Sequence, residues 1–262
     1  MELGLKDKVF MVAGAGRGLG YGIAETLSQE GARISIGSRT KESILSAAET
    51  ISRKTGSRAH GYVLDMKDGE SIARWVEKTL ADFGGIDGVV VNAGGPPPGK
   101  FEDFTDSEWQ DAFELTLLSA IRLIRESLEP LKKSGGTILT LTSISFREPV
   151  DNLILSNVLR SGVVSMVKSL SKEFAPYGIR VNNIVPGFFD TDRLKSLDKN
   201  EAEKTGKPLE EVIEKRKSVV PLGRYGDPKE FGKAAAFLLS DATGYTTGHS
   251  FVLDGGFMKS LS

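Results

Sequence analysis

Residues 9–22, VFMVAGAGRGLGYG, run from an apolar, partly β-branched stretch into small residues, and the helical pattern IAETLSQEG follows at once. VFMVA suits a strand buried on both faces. Strand, tight glycine turn and helix is a layout that accepts a dinucleotide pyrophosphate. Glycines let the backbone come close to the phosphates, and the helix N-terminus offers free N–H groups and a positive dipole end. The strict G-x-G-x-x-G spacing fits in no register, whereas G-x-x-x-G-x-G fits Gly14, Gly18 and Gly20, with Gly16 and Arg17 between them. An ordinary strand-to-helix turn rich in small residues is the alternative reading of this stretch.

The same alternation continues along the 262 residues. Strands are predicted at 8–13, 32–36, 59–64, 86–91, 137–142, 180–185 and 250–253. Helices are predicted at 19–30, 41–54, 69–83, 107–133, 152–174 and 229–239. Unbroken βα units with short connections predict one α/β domain spanning 1–262, a Rossmann fold with a seven-stranded parallel sheet and helices on both faces. Residues from about 190 to 220 read as an insert, with a short helix started by Pro208, and form a candidate substrate lid.

Lys plus Arg is 34 and Asp plus Glu is 35, a balance that argues against a nucleic-acid or membrane-surface partner. With no cysteine, thiolate chemistry, disulfides and cysteine–zinc sites are excluded, and no metal site is expected. No basic segment precedes an apolar core at MELGLKDKVF, and no stretch is apolar enough to span a membrane, so a cytoplasmic location is expected.

In a doubly wound sheet, ligands gather at the C-terminal strand ends. After the second strand stand Ser38 and Arg39, where an NAD site would place a carboxylate about 20 residues past the glycines. A hydroxyl and a cation there, with Arg17 as a second cation, suit a 2′-phosphate, hence NADP, with NAD the alternative. Asp65 and Met66 follow the third strand, where a carboxylate can reach an adenine amine. Asn92, Ala93 and Gly94 follow the fourth, small enough to let the backbone lie along a cofactor. Taken singly, each is also readable as a helix cap, a solvated charge or a plain turn.

AGAGRGLG at 13–20, Asp65, VNAG at 91–94, Ser143, IRVNNIVPG at 179–187 and TTGHSFVLDGG at 246–256 occur in order along the chain. This pattern resembles the short-chain dehydrogenase/reductase family, closest to its 3-oxoacyl-acyl-carrier-protein-reductase-like members. The resemblance implies hydride transfer between NAD(P) and a small-molecule carbonyl or alcohol. It also implies cofactor contacts from Gly14, Gly18, Leu19, Gly20, Asp65, Asn92, Ala93, Gly94, Pro186, Gly187 and Thr191. Subunits of the family usually pair through the helices at 107–133 and 152–174, which implies a homotetramer or homodimer.

The family's catalytic group is Asn, Ser, Tyr and Lys. Here the serine position is Ser143, whereas the Tyr position falls on Ser156, the Lys position on Arg160 and the Asn position on Thr116. No tyrosine lies between Tyr62 and Tyr177, so a small slip does not restore one. Ser156 and Arg160 are i, i+4 and share a helix face. Arginine stays protonated and can hold ribose hydroxyls without relaying a proton. An aliphatic hydroxyl is a much weaker acid than a phenol, so a water held by Ser143 and Ser156 is a candidate proton carrier. The reading is an NADP-preferring oxidoreductase with a non-standard site at Ser143, Ser156 and Arg160. Alternatives are a catalytically silent nucleotide-binding regulator or sensor, and a different reaction, such as a lyase, on the same fold. Arg147 and the stiff Pro96-Pro97-Pro98 loop stand near the expected substrate mouth, and Arg147 suits either a substrate anion or solvent.

Overall fold

The structure, a computed structural model, describes residues 2–260. Every residue of β1 (Val9–Ala13) is buried, as an apolar run flanked by strands on both sides requires. The chain then alternates through α1 (Gly18–Gln29), β2 (Arg33–Ser38), α2 (Lys41–Thr55), β3 (Ala59–Val63), α3 (Gly69–Phe83) and β4 (Gly88–Val91). It continues through α4 (Asp106–Phe113), α5 (Ser119–Ser134), β5 (Thr137–Leu141), α6 (Ile154–Glu173) and β6 (Arg180–Pro186). The last elements are α7 (Asp192–Thr205), α8 (Leu209–Ser218), α9 (Pro228–Leu239) and β7 (Ser250–Leu253).

The sheet has seven parallel strands in the order β3-β2-β1-β4-β5-β6-β7. Alternation along β1 divides its side chains between two cores. Phe10 and Val12 join Ile34, Ile36 and Leu139 under α1, α2 and α9, through Ile23, Leu27, Ile51 and Phe231. Met11 and Ala13 join Val89, Val91 and Ile138 under α3, α5 and α6, through Ile72, Leu123, Ile124 and Val167. The strand order reverses between β1 and β4. Crossovers leave in opposite directions there, opening a crevice at the C-terminal ends of those two strands.

Three elements differ from the sequence expectation. The helix predicted over 107–133 is divided at Glu114–Leu118 by a wide turn in which the Ser119 N–H reaches back to Glu114 O. The Ser119 hydroxyl donates to Leu115 O at 2.6 Å, satisfying a carbonyl within the widened turn. The helix predicted from 152 starts at Ile154, because Asn152 sits in the left-handed region at φ 62°. The insert holds two helices rather than one. Helix α7 has no readable apolar stripe. It is held by a Thr191 cap and by a buried Asp198, which accepts from Arg216 Nε at 2.6 Å and from the Tyr225 hydroxyl at 3.0 Å. No helix among the described residues is long and apolar enough to cross a membrane.

Candidate active site

The glycine turn occupies the crevice between β1 and β4. Gly14 and Gly18 both adopt φ of +62°, a region that favours glycine. A Cβ on Gly20 would lie 2.4 Å from Gly14 O, so the turn closes this tightly only with glycine there. Asn92 Nδ2 donates to Ala13 O at 3.2 Å and to Gly14 O at 3.4 Å, tying the end of β4 to the turn. Helix α1 begins at Gly18 with no side chain capping its first amides. Free N–H groups, the dipole end and a surface without side chains fit a diphosphate. Leu19 turns inward and packs on the core beneath.

At the end of β2, Ser38 stands beside Gly16: a Cβ on Gly16 would meet Ser38 Oγ and Ser43 Oγ, each at 2.9 Å. Ser43, which donates to Gly16 O at 3.3 Å, escaped the sequence reading because it lies inside α2 rather than at a strand end. Arg39 is exposed and makes no salt bridge among the described residues. Arg17, exposed, pairs with Asp192 at 3.4 Å, at the start of α7. Asp65 is exposed, with Oδ1 accepting from Lys67 N at 3.0 Å. The Met66 side chain is buried in the core beside Leu64 and Ile72.

At the other end, Ser143 follows β5 and caps a short 3₁₀ turn, Ile144–Phe146, by accepting from Ser145 N at 3.3 Å. Ser156, on α6, hydrogen-bonds Ser145 Oγ at 3.1 Å, and both residues are buried. Ser143 and Ser156 make no direct hydrogen bond, and Ser145 contacts both, through its N–H and its hydroxyl respectively. Ser145 carried no sequence signal, because its relation to Ser156 spans a loop. Arg160 Nη1 donates to Leu141 O at 3.1 Å, at the head of β5. Desolvation, then the nearby charge of Arg193, lowers the Arg160 pKa to about 10, so it stays cationic at neutral pH. Thr116, in the wide turn between α4 and α5, is buried with its hydroxyl unpartnered. Thr116 and Arg160 line one small cavity with Ala93, Gly94, Ser119 and Leu141.

Beyond β6, Pro186 ends the strand and Gly187 packs against Asp254, where a Cβ would fall 2.6 Å from its Cα. Thr191 accepts from Leu194 N at 3.3 Å as the cap of α7, and its methyl faces Gly18. The first turn of α7 therefore crosses the crevice from the glycine turn. The mouth is closed on one side where Gly99 N donates to Asn152 O at 2.7 Å, downstream of Pro96–Pro98. On another side, Glu148 Oε1 accepts from Lys259 N and Ser260 N, holding the tail beside the Ser143 loop. Arg147 lies over the Phe146 ring, 5.2 Å from its centroid.

Comparison with known proteins agrees with this geometry. Residues 14–258 match the family described as enoyl-(acyl carrier protein) reductase. The chain is 37% identical over 257 residues to the 3-oxoacyl-[acyl-carrier-protein] reductase FabG of Haemophilus influenzae, covering 98% of this chain and 100% of that one. Among solved structures, L-sorbose reductase from Gluconobacter frateurii, in complex with NADPH and L-sorbose, superposes with a TM-score of 0.95 at 29% identity over all of both chains. An NADPH-bound short-chain oxidoreductase from Pseudomonas aeruginosa, described as containing an atypical catalytic center, superposes with a TM-score of 0.89 at 28% identity, covering 98% of this chain and 99% of that one.

Proposed function

The chain belongs to the short-chain dehydrogenase/reductase family as a 3-oxoacyl-acyl-carrier-protein-reductase-like member, and from that premise we propose that it is an NADPH-dependent carbonyl reductase, or the reverse alcohol dehydrogenase, with a non-standard proton-transfer site. The observation that carries the proposal is the Arg160 guanidinium on Leu141 O, in the same crevice as a glycine turn that only side-chain-free residues allow.

Bound in this crevice, NADPH supplies a hydride. The glycine turn and the first amides of α1 hold its diphosphate, and Gly14, Gly18, Gly20 and Asn92 shape that cradle. Ser38 and Arg39 face its 2′-phosphate, where an exposed arginine without an acidic partner suits a dianion. Asp65 faces the adenine end, and Ala93, Gly94, Pro186, Gly187 and Thr191 line the nicotinamide end. Arg160 holds ribose hydroxyls as a fixed donor. Protein neighbours described with NADPH, in Gluconobacter frateurii and Pseudomonas aeruginosa, support the same cofactor.

Ser143 polarises the substrate carbonyl by donating its hydroxyl. Ser156 and Arg160 stand where the family has Tyr and Lys, and neither is an efficient acid at neutral pH. The proton therefore arrives from solvent at the mouth. Loss of a positioned acid costs about 10²–10⁴-fold in rate, while orientation and carbonyl polarisation remain. Val158 on α6 and Phe101 before α4 stand 49% and 74% exposed, which supports association of copies through that face.

The test is a titration with NADPH and NADH followed by fluorescence, then NADPH oxidation on a panel of ketones, quinones and sugars, repeated with Ser143→Ala. Tight NADPH binding with turnover that falls in Ser143→Ala, at unchanged cofactor affinity, is the expected result. Equal activity in that variant removes Ser143 from the chemistry. Binding without turnover favours the second reading, a catalytically silent nucleotide-binding regulator.

A further inference from the structure

Arg193 has an unfavourable place. It lies in the first turn of α7, where the helix dipole opposes a cation. Its guanidinium is pressed against Gly95: a Cβ there would lie 2.5 Å from Arg193 Nη2 and 3.0 Å from Cζ. Arg160 lines the small cavity beside the neighbouring Gly94. Two guanidinium groups thus flank Gly94–Gly95. Each is desolvated, the charge of Arg193 acts on Arg160, and neither has a carboxylate close enough to offset it. Apart from Arg39, which is exposed at the end of β2, the arginines named near the crevice are engaged. Arg17 pairs with Asp192, Arg216 with Asp198 and Glu201, Arg224 with Glu230, and Arg147 stacks on Phe146. Dipole, desolvation and like charge all oppose Arg193 where it stands, so its position makes sense when an anion completes it.

Which anion follows from the position of Gly95. The diphosphate cradle is at the glycine turn, and Asn92 and Thr191 join that turn to the rest of the crevice. Gly95 lies beyond Asn92, where the chain enters Pro96–Pro98 and then Gly99, which bridges to Leu153 at the mouth. Arg193 is therefore displaced from the phosphate cradle toward the side where substrate enters.

Resting on the NADPH-dependent reductase reading above, we propose that Arg193, facing Arg160 across Gly94–Gly95, selects carbonyl substrates bearing a carboxylate near the reacting carbon, that is, short oxo acids. A planar guanidinium takes a carboxylate in two parallel hydrogen bonds, and the low-dielectric crevice strengthens them. The carbonyl then lies toward Ser143, with the charge held on the α7 side.

The experiment measures kcat/KM with NADPH for matched pairs, 2-oxo, 3-oxo and 4-oxo acids against their methyl esters, in wild type, Arg193→Ala, Arg193→Lys and Arg193→Glu. NADPH affinity and thermal unfolding are measured for each variant. Wild type is expected to favour acid over ester by at least about tenfold, with that ratio falling about ten- to hundredfold in Arg193→Ala and partly returning in Arg193→Lys. An acid-to-ester ratio unchanged by Arg193→Ala overturns the proposal. So does an NADPH dissociation constant that weakens by the same factor as the ratio, because Arg193 then holds cofactor phosphate. Should wild type bind NADPH but reduce no carbonyl, the reductase reading fails. The anion site is then judged by oxamate and malonate perturbing bound-NADPH fluorescence at fixed ionic strength. A response in wild type that is lost in Arg193→Glu supports the site, and no response overturns it.

Discussion

Ser156 Oγ hydrogen-bonds Ser145 Oγ at 3.1 Å, and Ser145 N in turn donates to Ser143 Oγ at 3.3 Å. Ser145 thus joins two hydroxyls that make no hydrogen bond to each other, and it orients Ser143 through backbone rather than side chain. Removing its hydroxyl leaves a buried Ser156 without that partner while Ser143 keeps its donor. Ser145→Ala is expected to cost about 1–3 kcal/mol of stability, measured by denaturant unfolding. Turnover should change far less than in Ser143→Ala. A kcat loss in Ser145→Ala equal to that in Ser143→Ala would mean the three serines act as one relay.

Arg39 is the exposed cation at the end of β2, next to Ser38, and Arg17 pairs with Asp192 at 3.4 Å. Arg39→Asp is therefore expected to weaken NADPH by about ten- to hundredfold and NADH little, while Arg17→Ala changes the NADPH/NADH ratio less. Fluorescence titration of both nucleotides against each variant checks this. An unaltered ratio in Arg39→Asp removes the NADP preference.

The start of α9 carries an acid-sensitive clasp. Arg224 Nη2 and Nη1 donate to Glu230 at 2.7 and 2.8 Å, and Asp227 N donates to it at 2.8 Å. The Arg224 guanidinium first, and then the Asp227 N–H, hold the Glu230 pKa down from 4.5 to about 2. A depressed carboxyl pKa adds stability that is complete above the ordinary value of 4.5 and is lost as pH falls toward 2. Because the pair is exposed to solvent, its contribution is small and screened by salt. Wild type should therefore exceed Glu230→Gln in melting temperature at pH 6, with the gap narrowing below pH 4. A gap that widens on acidification contradicts the assignment.

The sequence by itself determined the sheet, the crevice and the glycine turn at its floor. Those rest on local rules: strand periodicity buries a parallel sheet, glycine alone allows the approach of Gly20 to Gly14, and strand order then puts 38–39, 65 and 92–94 at one edge. The placing of Ser156 and Arg160 one turn apart on α6 is equally a matter of position along one helix. Only the tertiary structure decided which side chains meet. Ser156 meets Ser145 across a loop, Arg17 reaches Asp192 far along the chain, and Met66 turns into the core although its neighbour Asp65 faces solvent. Helix α7, too polar to carry an apolar period, exists because Asp198 is buried against Arg216 and Tyr225, and it brings Arg193 over Gly95. Periodicity encodes which face of an element is buried. It does not encode where a long charged side chain finds its partner, because that depends on distances between elements set only once the sheet and its two cores have closed.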